Sequence, residues 1–166
     1  EVPPANMALL DRLYELGIQF VPCTGRAYKI VPEEVRNHPA VRYVVSSVGS
    51  VITDVTTGEC IYYASLGEER TAVLYNRVKH LDITFDVFCD SDIFTERKRF
   101  ERIGLFGIDN TTLRLIRDVR IPVDQTIPEV IANRDVQKIT VWYHTEADRD
   151  GFIAVVKQDP TLALTK

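Results

Sequence analysis

Hydrophobic positions near the start of the chain recur at helical spacing. Met7, Leu10, Leu13 and Leu16 lie three apart with Leu9 beside them, Pro3 and Pro4 suit a helix start, and Gly17 supplies a C-terminal stop. The apolar run Ile18 to Cys23 has strand length and ends at Thr24-Gly25-Arg26. A second helical stretch is expected from about Ala27 to His38, with Pro32 breaking it or starting its second half. Tyr43 to Ser46 reads as a buried strand with Gly49 just after it. Val51 to Asp54 and Glu59 to Ala64, flanking Thr56-Thr57-Gly58, predict a β-hairpin. Helix, strand, helix, strand with short links is the grammar of a parallel α/β sheet. Such sheets hold ligands at the carboxyl ends of their strands. Thr24-Gly25-Arg26 and Ser46-Ser47 both fall at such ends.

The texture changes after Leu66. Residues 67–80 predict a helix with Leu74, Val78 and Leu81 on one face. Ile83, Phe85, Val87 and Cys89 alternate with Thr84, Asp86, Phe88 and Asp90 as in a strand. Helical stretches are expected near 96–105, 110–118 and 127–133, the last opened by a capping box of Thr126 and Glu129 around Pro128. Lys138 to His144 alternates again. Thr145 caps a helix running to about Lys157, and Thr161 to Thr165 begins a last strand. A domain boundary is expected near residues 64–67. The last strand needs a partner that the remaining residues do not supply, so the second domain is expected to be incomplete at its C-terminal end.

Composition narrows the classes. The 166 residues are 45% hydrophobic and 27% charged, ordinary for a globular protein. A net charge of -4 gives no basic field for nucleic acid. The basic run Arg97-Lys98-Arg99 lies between Glu96 and Glu101 and reads as a solvated helix face. No apolar stretch approaches the length needed to cross a bilayer, so no membrane partner is expected. Three cysteines without a C-x-x-C pair point to a reducing, cytoplasmic setting, with Cys23 and Cys89 as small residues in apolar runs. His38, His80 and His144 lie far apart, with no second ligand at helical spacing for zinc.

The stretch ALLDRLYELGIQFVPCTGR, from Ala8 to Arg26, resembles the second conserved motif of haloacid dehalogenase-like hydrolases. YVVSSVGSVITD and TGECIYYASL resemble the region downstream of that motif in the Cof-type phosphatases, where a strand ends in Ser-Asn-Gly-Ala and runs into a β-hairpin. DVFCDSDIF, IPVD and QKITVWYH resemble, in order, segments of the large α/β cap inserted after that hairpin. The resemblance covers nearly the whole chain and rests on the ordered set. It implies an α/β fold with a partial Rossmann-like core at residues 1–64 and an α/β cap at 65–166.

It also implies phosphoryl transfer to water through an aspartyl phosphate, with an Asp-x-Asp-Gly-Thr nucleophile motif, Mg²⁺, a Lys and a later carboxylate motif. Substrates would be small phosphorylated metabolites of the sugar phosphate kind. Thr24 corresponds to the hydroxyl that donates to the transferring phosphoryl oxygen. Gly25 would admit close backbone approach, and Arg26 would pair with anionic substrate groups. Ser47 and Gly49 are site neighbours. The nucleophile and Mg²⁺ ligands match nothing between Glu1 and Lys166, so the chain resembles the central part of a larger enzyme and is expected to be inactive alone. Val48 stands where Asn is usual, which removes any contact from that side chain.

Asp90-Ser91-Asp92 superficially resembles the nucleophile motif, but Ile93 replaces its Gly and it comes after Thr-Gly-Arg instead of preceding it. A hairpin turn accounts for it, since Asp and Ser are turn formers. Two other readings stand beside the phosphatase. One is a non-catalytic binding or regulatory module on the same fold. The other is an unrelated α/β enzyme using Cys23 or Asp90. Composition and spacing leave the oligomeric state open.

Overall fold

A computed structural model describes residues 2–165 and divides the chain after Ser65 into two compact units. In the first, α1 (Pro4–Glu15) buries Leu10, with Met7 and Leu13 packed against the same cluster of Val31, Val35, Val41 and Val44. The helix stops as its sequence predicts. Gly17 takes φ +69°, its N–H donates to the Tyr14 carbonyl and that of Ile18 to the Leu13 carbonyl, both at 2.9 Å. Leu16 lies outside the helix and is exposed.

The first unit's sheet is an antiparallel meander. β1 (Tyr43–Ser46), β2 (Val51–Asp54) and β3 (Glu59–Tyr63) lie in that order, with Val44 opposite Thr53. The expected hairpin is present. The expected strand at Ile18 to Cys23 is not formed as a strand. Its parallel pairing reduces to one bridge, Cys23 to Val45, extended by bonds from the Phe20 N–H to Ala40 (2.8 Å) and from the Val45 N–H to Pro22 (2.9 Å). One short run of partners does not build a ladder, and Ile18, Phe20 and Val21 remain exposed. The helix expected at 27–38 is likewise two pieces, a 3-10 turn at Tyr28–Ile30 and α2 (Glu33–Arg36). Pro32 holds Val31 in extended conformation between them.

The second unit is built on a four-stranded sheet in the order β6-β5-β4-β7. Its strands are β4 (Asp86–Cys89), β5 (Asp92–Glu96), β6 (Ile121–Val123) and β7 (Val136–Thr140); only β5 and β6 run parallel. The helices are α3 (Glu68–Val78), α4 (Arg97–Phe100), α5 (Asn110–Val119), α6 (Ile127–Val130) and α7 (Glu146–Val156). Val87, Val136, Phe94 and Ile139 face one core with Leu74 and Val78 of α3, Val156 of α7 and Ile127 of α6. A second cluster joins Ile103, Phe106 and Ile116 with Trp142.

Asp90 and Ser91 form a two-residue turn at φ +52° and +66° between the paired Cys89 and Asp92. The turn reading of Asp90-Ser91-Asp92 therefore holds. No strand forms at 161–165, and the ladder expected from Ile83 begins only at Asp86, with Ile83 reaching Tyr143 by a single bridge.

Side-chain caps fix three helix starts. Asp109 accepts from the Thr111 and Thr112 N–H groups, Glu129 from Thr126, and Asp148 from Thr145. These donors hold all three carboxyls below their ordinary range: chiefly hydrogen bonds from Thr112 for Asp109, and the Thr126 and Thr145 hydroxyls for Glu129 and Asp148. A carboxyl depressed in the folded state contributes stability above its unfolded pKa and loses that contribution as pH falls through its folded one. Thermal unfolding from pH 7 downward is expected to show a Tm flat at neutral pH and falling below the ordinary carboxylate range. Asp148→Asn should flatten part of that fall.

Candidate active site

The loop after the Cys23–Val45 bridge and the turn after β1 are tied together by backbone. The Thr24 N–H donates to the Val45 carbonyl at 3.0 Å, the Ser47 N–H to Arg26 at 2.8 Å, and the Val48 N–H to Thr24 at 3.2 Å. Two segments more than twenty residues apart are thus locked side by side. The structure brings Thr24, Gly25 and Arg26 next to Ser47, with Gly49 two residues further along the turn.

The Thr24 hydroxyl oxygen accepts the Arg26 N–H at 3.2 Å. This fixes the side chain while leaving its own O–H as a donor. Thr24 is half-buried; Gly25 and Arg26 are exposed, and among the described residues the Arg26 guanidinium has no ion-pair partner. Thr24, Arg26 and exposed Cys23 line a groove of about 490 Å³ whose other walls include Leu10, Leu13 and Phe20. Ser46 is fully buried and, among the described residues, its hydroxyl has no hydrogen-bond partner. A donor hydroxyl, a cation and an apolar floor suit an anionic group carried on an organic body.

The turn itself is strained. Ser47, Val48 and Gly49 take φ of +50°, +61° and +89° in succession. Glycine tolerates this region freely, whereas a β-branched residue does not. Val48 is 51% exposed and gains little burial in return. Asn visits the left-handed region far more readily than Val. The backbone at position 48 therefore gives a reason for Asn in the resembling motif that needs no contact from its side chain. Val48→Asn is expected to stabilise the first unit by about 1 kcal/mol. Native-state hydrogen exchange should show slower opening of the β1 and β2 amides; unchanged or faster exchange would contradict the strain.

No group of three or more His, Cys, Asp or Glu among the described residues is placed to hold a metal ion. No helix among the described residues is long and apolar enough to cross a membrane.

A family model for haloacid dehalogenase-like hydrolases matches residues 1–162. The chain belongs to that family. The resemblance drawn from the ordered motifs is borne out, as is the mixed α/β fold with a Rossmann-like core. Among solved structures, it is similar to BT4131, a sugar phosphatase of subclass IIB of the haloacid dehalogenase superfamily, at 14% identity and a TM-score of 0.68, over 95% of this chain and 57% of that one. It is similar to the phosphatase BT1666 from Bacteroides thetaiotaomicron at 16% identity and a TM-score of 0.66, over 94% and 54%. A haloacid dehalogenase-like hydrolase from B. subtilis matches at 19% identity and a TM-score of 0.60, over 82% and 53%. These likenesses are of fold. The chain spans a little over half the length of each of these structures. No curated protein matches the chain.

Sequence reasoning missed the conformation of Val48 and the buried Ser46 hydroxyl. Neither has a signature in spacing. Three consecutive positive-φ residues carry a sequence signal only where Gly or Asn fills them, and here two are Ser and Val.

Proposed function

We propose that residues 1–64 are part of the catalytic core, and 65–166 the cap, of a cytoplasmic phosphatase of this family acting on small phosphorylated metabolites of the sugar phosphate kind. The observation that carries the reading is the held Thr24 hydroxyl: its oxygen accepts from Arg26, its proton is available, and the loop is clamped to Ser47 and Val48. A hydroxyl fixed in this way donates to a phosphoryl oxygen as negative charge builds there, without reorganising. Gly25 admits the phosphoryl group close to the backbone. Arg26 pairs with its remaining charge, and Ser47 and Gly49 border the same loop. The apolar groove takes the organic part of the substrate.

The nucleophilic Asp, the Lys and the carboxylates that hold Mg²⁺ belong, on this proposal, to parts of the full-length protein other than these residues. Mg²⁺ would supply charge neutralisation at the phosphoryl group. The part proposed for Thr24 is positional and electrostatic and requires no proton exchange.

The chain of 166 residues is expected to show no Mg²⁺-dependent hydrolysis of p-nitrophenyl phosphate above buffer, while the full-length protein turns it over. Hydrolysis by the isolated chain would overturn the division of labour proposed here. Binding of phosphorylated sugars without turnover by the full-length protein would favour a non-catalytic module instead.

A further inference from the structure

The basic run Arg97-Lys98-Arg99 is not the uniformly solvated face expected of it, and it takes no part in the Thr24 site. Its three side chains go three ways. Arg99 is only 18% exposed: its Nε donates to Glu96 at 3.0 Å, and its terminal nitrogens donate to the carbonyls of Lys79 (2.6 Å), Leu81 (2.8 Å) and Ile83. The Tyr75 hydroxyl donates to the other Glu96 oxygen at 2.6 Å. Arg97 pairs with Asp124, in the segment after β6, at 2.7 Å. Lys98 is exposed and, among the described residues, has no hydrogen-bond or ion-pair partner. Because Arg99 binds the backbone of residues 79–81, it holds the end of α3 against α4, next to Lys98.

These bonds frame a groove of about 780 Å³ within the second unit, between the end of α3, α4 and residues 123–126. Tyr75, Glu96 and Arg99 form its fixed floor. Burial, and after it the bond to Glu96, push the Tyr75 phenol above its ordinary range, so the proton stays on Tyr75. On one wall Arg102 grips Asp82 with both terminal nitrogens, at 2.9 and 2.8 Å. Asp82, Glu96 and Asp124 are thus each neutralised by an arginine. Glu101 is the one carboxylate of the described lining outside those pairs, and it lies one turn beyond Arg97, whose charge it already feels. Against it stand the ammoniums of Lys79 and Lys98, and Lys79 meets only the neutral Asn76 amide, at 3.1 Å. The His80 ring and the Gln125 amide line the same groove and, among the described residues, have no hydrogen-bond partner.

We propose that this groove binds a small organic molecule bearing two or more oxyanion groups, phosphoryl or carboxylate. The site lies wholly within the second unit and stands whether or not Thr24 serves phosphoryl transfer. A cleft whose cations outnumber its carboxylates concentrates anions at its mouth. The Lys79 and Lys98 ammoniums meet the charge, Gln125 and His80 supply further polar contacts, and half-buried Leu81 and Val123 take the carbon body. The arginine pairs and the Arg99 bonds to backbone set the walls beforehand, so ordering on binding is confined to the two lysines and Gln125.

The test is a titration of isotopically labelled chain with pyrophosphate and, separately, citrate, at constant ionic strength, reading the amide and side-chain signals of His80, Lys98 and Gln125. Saturable shifts are expected at these residues. Lys98→Met should weaken binding about threefold, and Lys79→Met combined with it by about tenfold or more. Lys98→Glu should abolish it. Lys157→Met removes the same charge from exposed surface of the same unit outside the groove and should leave it unchanged. A response to pyrophosphate alone supports the site and assigns its ligand as a phosphoryl compound; a response to citrate alone supports it and assigns a carboxylate. The proposal is overturned if neither anion gives saturable shifts there, or if affinity is undiminished in the folded Lys79→Met, Lys98→Met double variant and in Lys98→Glu. Shifts confined to Thr24–Arg26 would likewise overturn it while leaving the first site intact.

Discussion

Asp86→Ala is expected to lower the unfolding free energy of the second unit by about 3–5 kcal/mol. The carboxylate is fully buried on the central strand and, among the described residues, is the ion-pair partner of Arg120, itself almost wholly hidden. Removing it leaves a guanidinium without its counter-charge in a site that also feels the Lys138 charge. Breaking one side of such a pair is costly because the survivor remains desolvated, whereas replacing both sides is not. The double change Asp86→Leu with Arg120→Met is therefore expected to recover most of the loss. Trp142, the single tryptophan, belongs to the second unit, so its fluorescence in a urea titration reports that unit without the first. A loss below about 1 kcal/mol would mean that water reaches the pair as it reaches surface ion pairs.

This pair shows where sequence reading stops. Asp86 and Arg120 lie 34 residues apart, and nothing in spacing joins them. What could be read was local. The α1 stripe and its Gly17 stop, the hairpin around Gly58, and the Thr126 and Thr145 caps depend on neighbours along the chain, and each is present. What misled was also local. Ile18 to Cys23 has the composition of a strand but only one bridged partner, and composition does not report partners. Conversely, β6 has three residues with a proline in the middle and was not expected. Its place at the sheet edge, beside β5, tolerates a residue that cannot donate on its outer side.

The candidate site was legible in its parts and not in its geometry. Thr24-Gly25-Arg26 and Ser46-Ser47 stood out as strand-end segments, with Gly49 as a site neighbour, and the structure supplies the hydrogen bonds that clamp the two segments together. Those bonds run between backbone groups, which carry no residue-specific signal. The Thr24 hydroxyl acceptor role toward Arg26 is likewise invisible in sequence. It decides which way the proton is free to point.

That proton carries the second large effect. In the full-length protein, Thr24→Val is expected to lower kcat/KM for phosphomonoesters by about 10²–10³-fold, since Val keeps the shape and removes the donor. Thr24→Ser keeps the donor and should retain most activity. Stability should change little in either, because Thr24 is only half-buried and its backbone bond to Val45 persists. Cys23→Ser is the control: Cys23 is adjacent and exposed on the same groove, Ser keeps nearly its size at that wall, and the proposed chemistry needs no thiol.

The most direct test is steady-state hydrolysis of p-nitrophenyl phosphate by the full-length protein carrying Thr24→Val or Cys23→Ser. The account predicts a loss of about two to three orders of magnitude for Thr24→Val and near-unchanged turnover for Cys23→Ser. Turnover abolished by Cys23→Ser and spared by Thr24→Val would contradict it.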